Sequence, residues 1–370
     1  MINTGIKILL GLTACLAGGN VYASCEMVQR SDLSVPASPI IGTVALNATV
    51  SAPADMPLST ILYRGVFNRP IQVAIKCTEQ GQFYTLQKMA TSAGTLGKAE
   101  DFNSPVPVGS VVFKTSMPGV GFALNSGYTV YDVPHAAAVC VNSSNCIWNG
   151  DSIVNAASIM YLIKTGPITP GTIIGASLPV YSELFGQDGF MVTTMAMPFT
   201  GSITVPPPSC TTPDVAVEMG TWSVGDFRGK GSGTEWQDAS IRMTGCDNFY
   251  GYRAGHNLDN GGTASLSEPV YKNKYTVSLS PQSAAIDSNS GIMSVAEGDN
   301  SASGVGIQIG MGSVASAESR LVTFGNPYQQ DISSAGSTMT FPLAARYIQT
   351  NERLRPGKAD GKVTFTIAYK

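Results

Sequence analysis

The sequence predicts an all-β protein built from two tandem β-sandwiches. Charged residues make up only 13% of the chain, while 40 glycines and 22 prolines supply many turns. Short segments of alternating apolar and polar residues recur throughout, which is the pattern of strands with one buried face. The triple proline of Val205-Pro-Pro-Pro-Ser-Cys210 divides these segments into two blocks, each of the size of a sandwich domain.

The N-terminus has the features of an export signal. Lys7 precedes an apolar run from Ile8 to Ala17, and Val21-Tyr22-Ala23 ends on the small residue that signal peptidase requires. We therefore predict a signal peptide at residues 1–23, with cleavage after Ala23. An alternative is a lipoprotein box at Leu12-Thr-Ala-Cys15, which would leave Cys15 acylated. The apolar run is too short to span a bilayer as a helix.

Six cysteines remain after residue 23, and an even number in an exported chain indicates disulfides. Six cysteines allow 15 pairings, among which the sequence does not choose. Pairing in sequential order would keep every bridge inside one domain. Zinc is the competing explanation, but the chain has no C-x-x-C pair and only two histidines. The cysteines are Cys25, Cys77, Cys140, Cys146, Cys210 and Cys246.

The three prolines favour a semi-rigid spacer over a continuous strand or helix. We place an N-terminal domain at 24–204, a Pro-rich linker at 205–209 and a C-terminal domain at 210–370. Strands are predicted at 71–77, 158–164 and 190–197 in the first domain. Alternating residues predict strands in the second domain at Val215/Val217/Met219, Ile241/Met243, Tyr275/Val277/Leu279 and Val305/Ile307/Ile309.

The chain ends on an alternating strand at residues 363–369. Val363, Phe365, Ile367 and Tyr369 would face one way, and the intervening Thr364, Thr366 and Ala368 the other. This segment could be an ordinary last strand, paired on both sides. Alternatively, the sandwich lacks its final strand, and the resulting apolar groove accepts a strand from another chain.

The second domain contains a set of sequence features in a fixed order. They are Cys210, Cys246 after Ile241-x-Met243, Gly304-Val-Gly-Ile-Gln-Ile309, Phe341-Pro-Leu-x-Ala-x-Tyr347, Gly357 at the fourteenth position from the C-terminus and the penultimate Tyr369. With these features, residues 210–370 resemble a pilin domain of the chaperone–usher fimbriae of Gram-negative bacteria, and the resemblance covers this whole region.

This resemblance implies an incomplete immunoglobulin-like fold that is completed by donor-strand complementation. A periplasmic chaperone would lend a strand during folding, an outer-membrane usher would handle export, and an adjacent fimbrial subunit would then donate its own strand. The groove would be bordered by Val363, Phe365, Ile367 and Tyr369, and the carboxylate of Lys370 would be held by basic residues of the chaperone.

The first half decides the role of the protein within a fimbria. A shaft pilin would begin with a short donor extension, whereas about 180 residues precede the C-terminal domain here. This layout resembles two-domain fimbrial tip adhesins with an N-terminal lectin-like domain that binds host glycans. The resemblance is looser in 24–204. The polar loop of the mannose-binding type 1 adhesin corresponds to 182–190 here, which is shorter and different, and an aromatic mature N-terminus is absent.

Two polar clusters are candidates for glycan binding, because sugars require hydrogen-bonding side chains beside an aromatic face. The first follows the cysteine pair and comprises Trp148, Asn149 and Asp151; a bridged turn with a core tryptophan is the simpler explanation for it. The second comprises Gln187, Asp188 and Phe190, for which a plain surface loop is the alternative.

The remaining function classes are less well supported. The net charge of −3 gives no excess of basic residues of the kind that binds nucleic acid. The sequence contains no H-E-x-x-H, G-x-S-x-G or phosphate-loop motif, so we predict neither an enzyme nor a cofactor. The main alternative to an adhesin is a structural minor or adaptor fimbrial subunit, whose N-terminal domain binds protein or initiates assembly.

Overall fold

The structure is a computed structural model. It describes residues 24–29, 37–67, 73–91, 93–103, 105–125, 132–140, 146–149, 158–252, 254–258, 264–268, 270–332 and 337–370, and only the backbone of 148–149, 254–258 and 264–268. The predicted signal peptide at 1–23, which includes Cys15, lies outside these residues. The described residues contain 28 strands, four short 3-10 helices and no α-helix, which confirms the all-β fold class.

Sixteen strands lie ahead of the Pro-rich linker. They are β1 (Cys25–Met27), β2 (Ile40–Ile41), β3 (Val44–Thr49), β4 (Ile61–Phe67), β5 (Ala74–Cys77), β6 (Gly81–Ala90), β7 (Thr95–Lys98), β8 (Val111–Lys114), β9 (Val120–Asn125), β10 (His135–Cys140), β11 (Cys146–Asn149), β12 (Ser158–Lys164), β13 (Gly171–Ile174), β14 (Val180–Gln187), β15 (Phe190–Met197) and β16 (Phe199–Val205). The 3-10 helices here are Ala99–Phe102 and Gly175–Ser177.

Twelve strands follow the linker. They are β17 (Gln237–Asp238), β18 (Ile241–Thr244), β19 (Ala254–Leu258), β20 (Ala264–Glu268), β21 (Lys274–Pro281), β22 (Ala285–Asp287), β23 (Ile292–Ser294), β24 (Val305–Met311), β25 (Tyr328–Asp331), β26 (Thr338–Phe341), β27 (Leu343–Gln349) and β28 (Val363–Tyr369). The 3-10 helices here are Val224–Asp226 and Ala317–Ser319.

The N-terminal region is a sandwich whose layers enclose one large core. One layer is the sheet β20-β19-β4-β12-β9-β8-β7, and the sheets β10-β6-β14-β15-β2 and β13-β16-β3 face it. The predicted strand at 158–164 is confirmed as β12, which lies between β4 and β9 in the large sheet. Its near-continuous apolar sequence is explained by this central position, because both of its faces are covered.

The C-terminal region is a second sandwich with its own core. The sheet β17-β27-β24-β23-β22 packs against the smaller sheets β25-β21-β28 and β18-β26. Buried side chains from both layers meet in this core: Met243, Val277 and Phe341 come from the smaller sheets, and Met293 and Ile307 come from the larger sheet. The predicted strands are confirmed as β18, β21 and β24. Burial alternates along β18 and β21, whereas β24 is buried on both faces beyond its first residue.

One hairpin of the C-terminal half joins the N-terminal sandwich. Strand β19 runs parallel to β4, with Ala254 opposite Tyr63 and Leu258 opposite Phe67, and β20 lies outside it. No sequence pattern predicted this pairing. The two halves are therefore connected by backbone hydrogen bonds as well as by the linker.

The disulfides follow the sequential order, one of the 15 pairings that the sequence allows. Cys25 is bonded to Cys77, Cys140 to Cys146, and Cys210 to Cys246.

Candidate functional site

The last strand of the chain has a neighbour on one side only. Strand β28 pairs antiparallel with β21, from Tyr275 opposite Tyr369 to Pro281 opposite Val363. Lys370 and Lys274 exchange two backbone hydrogen bonds of 2.7 Å, and hydrogen-bonded pairs alternate along an antiparallel ladder. Residues 364, 366 and 368 therefore bond to β21. The backbone groups of 363, 365, 367 and 369 point to the other edge, where no described strand pairs with them.

A groove with a volume of about 1440 Å³ lies beside this free edge. The start of β28 forms one wall, and residues 214–221 form the opposite wall. The floor is apolar and is formed by Ile241, Leu279, Ile307, Ile309 and Leu343. An apolar groove bordered by an unpaired strand edge offers both hydrogen bonds and hydrophobic contacts to an extended chain.

The wall at 214–221 differs from the sequence prediction. We predicted a strand here because Val215, Val217 and Met219 alternate, and these three side chains are indeed half-buried while their neighbours are exposed. No described residue forms a ladder with this segment, and its nearest pairing is the isolated bridge between Thr211 and Thr244. The groove occupies the place of the strand that would otherwise lie between this wall and β28.

The apolar side chains of β28 are less buried than those of β21, the strand that pairs with it. Val277 and Leu279 of β21 are 0% and 2% exposed, whereas Val363, Phe365 and Ile367 of β28 are only half-buried. An apolar side chain gains free energy on losing its remaining contact with water, at roughly 25 cal/mol per Å². The strand therefore has apolar surface left to bury against a partner.

The predicted groove residues are distributed along the length of β28. Val363 and Phe365 line the groove, while Ile367 and Tyr369 pack against the same core but are not part of the lining. Lys370 is exposed, and its backbone is bonded to Lys274.

The second candidate region is one end of the N-terminal sandwich. Strands β15 and β16 run consecutively from Phe190 to Val205, where the linker begins, so the turn before Phe190 lies at the end away from the linker. Cys77 of β5 is opposite Cys25 of β1 on one side and opposite Cys146 of β11 on the other. The two disulfides thus share one small core with Phe83 and Phe185 at this end, here called the distal end.

Gln187, Asp188 and Phe190 form a tight turn at the distal end. Gln187 is opposite Phe190, and Gly189 between them has a φ of 75°, which only glycine adopts without strain. The Gln187 side chain is 7% exposed and donates a 2.8 Å hydrogen bond to the Glu79 carbonyl. Asp188 is exposed, and Phe190 is 39% exposed. Gln187 therefore holds the turn between β5 and β6, while its neighbours face solvent.

The first predicted cluster lies beside the strand that leads into this turn. The backbone of Trp148 and Asn149 lies in β11, opposite Ile75 and Ala74 of β5. Asp151 lies outside the described residues. Cys146, opposite Cys77 at the end of β5, is the β11 residue nearest the β5–β6 turn, and the Trp148–Asn149 backbone runs along β5 away from it.

Exposed apolar residues add to the distal end, and the sequence did not single them out. Val139 of β10 and Ile147 of β11 are 59% and 54% exposed. Val139 is next to Cys140 in its strand, and Ile147 is next to Cys146, and these two cysteines form a disulfide. Because adjacent residues of a strand point to opposite faces, this spacing indicates from the sequence that Val139 and Ile147 face outward.

The described residues show neither a metal site nor a membrane helix. They contain no cluster of three or more His, Cys, Asp or Glu side chains placed to bind a metal ion. In the same part of the chain, no helix combines the length and the apolar character needed to cross a bilayer.

Together, the C-terminal fold and its groove define a β-sandwich that lacks one strand. The family model described as "Fimbrial protein" matches residues 197–370, slightly less than half of the chain. The matched residues include the whole C-terminal region, for which the sequence analysis described a resemblance to pilin domains. A search of curated proteins finds no match to this chain.

Solved structures of fimbrial proteins show weak likeness to the chain. The CupB6 tip adhesin from Pseudomonas aeruginosa is 14% identical, with 93% of each chain covered and a TM-score of 0.34. The receptor-binding domain of the adhesin MrkD1P of Klebsiella pneumoniae is 17% identical, with 51% of this chain and 99% of that chain covered and a TM-score of 0.29. TM-scores this low carry no functional assignment.

Proposed function

We propose that this protein is a fimbrial tip adhesin, exported through the periplasm and displayed at the bacterial surface. Its C-terminal domain joins the fimbria by accepting a strand, and its N-terminal domain binds a receptor. The observation that carries the proposal is the open groove beside the unpaired edge of β28, in a region that matches fimbrial proteins. Its partners in assembly would be a periplasmic chaperone, an outer-membrane usher and an adjacent fimbrial subunit.

The walls of the groove suit a single strand. Residues 214–221 lie opposite the start of β28, and an extended chain between them would face the unpaired backbone edge on one side and the apolar floor with alternate side chains.

The segment ahead of the groove supports a terminal position in the fimbria. A subunit that passes a strand onward needs a free segment before its own pilin domain. Here that position is occupied by β16, which pairs with β13 on one side and β3 on the other. This segment is not available for donation, so the chain accepts a strand without donating the one that precedes its domain.

A host glycan is the receptor class that we propose for the distal end. Exposed Asp188 and partly exposed Phe190 follow Gln187, which bonds to the β5–β6 turn, and the Trp148–Asn149 backbone lies beside β5, the strand before that turn. Carboxylate and amide groups match sugar hydroxyls, and an aromatic ring suits the C–H face of a sugar. The two disulfides stiffen this end and reduce the entropy lost on binding.

A glycan array with the full chain, co-purified with its chaperone, tests this assignment. We expect selective labelling that Asp188→Ala and Trp148→Ala weaken at least tenfold, with Asp299→Ala, an exposed aspartate of the C-terminal domain, as the matched control. Gln187→Ala should act indirectly, by loosening the turn at Glu79. Silence on the array together with binding to another fimbrial subunit would instead indicate the adaptor role.

A further inference from the structure

The N-terminal domain contacts the C-terminal domain at the end of the groove-forming strand. Ser51 is fully buried and donates its backbone N–H to the Gly251 carbonyl at 2.7 Å. Its hydroxyl also donates to the Asn248 carbonyl and accepts from the Tyr250 amide. On the other side of this loop, the Asn273 side chain accepts from the Gly251 amide at 2.8 Å. Ser51 is therefore fixed to the loop at 248–251 that precedes β21.

A second contact reaches β28 directly. The Tyr369 amide donates a 3.2 Å hydrogen bond to the Asp55 carboxylate, although 314 positions separate the two residues in the chain. The Tyr369 backbone faces the free edge of β28, where an incoming strand would bond. Asp55 therefore takes the position that a partner's carbonyl oxygen would occupy at this point of the ladder.

A buried lysine holds the segment that carries Asp55. Lys164 is 3% exposed, and its ammonium group donates hydrogen bonds of 3.1, 2.7 and 2.7 Å to the carbonyls of Pro53, Ala54 and Met56. Burial lowers the pKa of Lys164, and the charge of Asp55 opposes this shift in part. Because three backbone carbonyls converge on one ammonium group, the segment has a fixed shape and Asp55 has a fixed place.

The groove also closes at this end. Its lining on β28 includes Val363, Thr364 and Phe365 but not Tyr369. The Tyr369 ring packs 5.3 Å from the Phe249 ring, and its hydroxyl approaches the Met243 sulfur at 3.8 Å. Burial raises the pKa of Tyr369, and a hydrogen bond with Thr212, next to the opposite wall, lowers it in part. The two walls therefore meet at Tyr369.

We propose that Asp55 of the N-terminal domain is a groove stop: it caps the Tyr369 amide and limits an incoming β-strand of another chain to the edge from Val363 to Ile367. This inference depends on the proposed strand-accepting function and adds to it the length of the accepted strand. The N-terminal domain thereby sets which part of the C-terminal domain a fimbrial partner pairs with.

Hydrogen–deuterium exchange resolved at single amides tests the groove stop. The sample is the full chain co-purified from the periplasm with the protein bound in its groove, compared with its Asp55→Ala variant. In the unmutated complex, the amides of Val363, Phe365, Ile367 and Tyr369 should all exchange slowly. In Asp55→Ala, the Tyr369 amide should exchange about tenfold faster or more, while the other three stay protected.

The controls separate the two proposals. Asp55→Asn keeps an acceptor oxygen and should retain most of the Tyr369 protection, and Asp299→Ala, at an exposed aspartate outside the groove lining, should leave the exchange of these amides unchanged. Tyr369 remaining protected in Asp55→Ala, with no more amides of the partner strand protected than in the unmutated complex, would show that the strand already passes Ile367 and would overturn the groove stop. Protection of Tyr369 together with additional protected amides in the partner strand would show that the strand advances once Asp55 is removed, which supports the groove stop. Fast exchange at Val363, Phe365 and Ile367 in the unmutated complex would overturn strand acceptance itself, while the Tyr369 comparison still reports on Asp55. Asp55 is exposed, so neither substitution should prevent folding.

Discussion

The last strand of each half of the molecule makes an instructive pair. Strand β16 ends the N-terminal sandwich and β28 ends the C-terminal one; both have seven residues and both contain apolar residues that alternate with small or polar ones. Strand β16 lies between β13 and β3, and its Phe199, Ile203 and Val205 are at most 2% exposed. Strand β28 pairs only with β21, and its apolar residues are half-buried.

The difference shows what alternation does and does not specify. A period of two assigns side chains to the faces of a sheet, but it contains no information about how many neighbours a strand has. The number of strands that pair with a given strand depends on the rest of the chain. Strand β16 pairs with two strands of its own domain, whereas β28 pairs with one. The same kind of sequence thus forms a closed core in one place and a docking edge in the other.

Deleting residues 363–370, which contain β28, should destabilise the protein more than any other change considered for the two strands. The deletion removes the partner of β21 and four apolar side chains from the core, a loss of about 5 kcal/mol or more, which approaches the whole stability of a domain. We expect no accumulation of the protein in the periplasm by immunoblot, whereas Lys370→Ala, which keeps the terminal carboxylate and the backbone hydrogen bonds with Lys274, should be tolerated. Normal surface display of the longer deletion would contradict the pilin assignment.

Matched isoleucine truncations would test the difference in burial. Ile203→Ala removes a fully buried side chain of β16 and should cost about 3–4 kcal/mol of unfolding free energy. Ile367→Ala removes a half-buried side chain of β28 and should cost about half as much. Denaturant unfolding of the chaperone-bound chain would measure both. Equal costs would mean that the bound partner already covers Ile367 as completely as β13 and β3 cover Ile203.

Tyrosine titration gives the smallest and most local signal. Burial raises the pKa of Tyr63 in the N-terminal core by a large amount. It also raises the pKa values of Tyr275 and Tyr369 beside the groove, but by less. Because these pKa values are raised in the folded protein, the stabilisation is complete below pH 10 and is lost as the pH rises through the folded pKa. Absorbance of phenolate should show Tyr275 and Tyr369 ionising before Tyr63, which should ionise only on unfolding. If Tyr63 and Tyr369 ionised at the same pH, the tyrosine beside the groove would be no more accessible than the one in the N-terminal core.

Much of the C-terminal half was predictable from its residues. Regular alternation in β21 and β24 and the terminal Val363–Tyr369 pattern are local signals, and the fimbrial resemblance placed them in one domain. The sequential disulfide pairing was one of the 15 that the sequence allows, and the choice among them depends on strand pairing, as when Cys25 and Cys77 lie opposite each other across β1 and β5.

The contacts between the halves were not predictable. Asp55 and Tyr369 meet through one carboxylate and one amide, and nothing in either neighbourhood marks the pair. The parallel pairing of β19 with β4 depends on an open edge in a distant sheet. Gln187 was predicted as a ligand-binding side chain, but its burial against the Glu79 carbonyl depends on a turn 108 residues away. Such contacts are set by tertiary packing, not by local pattern.

The positions of the disulfides have a consequence for how the two halves can separate. Each bridge closes a loop within one half: 25 to 77, 140 to 146 and 210 to 246. Among these six cysteines, none ties one half to the other, so the polypeptide at the linker is the single covalent connection that they leave. The contacts made by Ser51 and Asp55 are hydrogen bonds, which break and re-form without redox chemistry. The non-covalent contacts between the two halves can therefore break and re-form while the disulfides within each half stay intact.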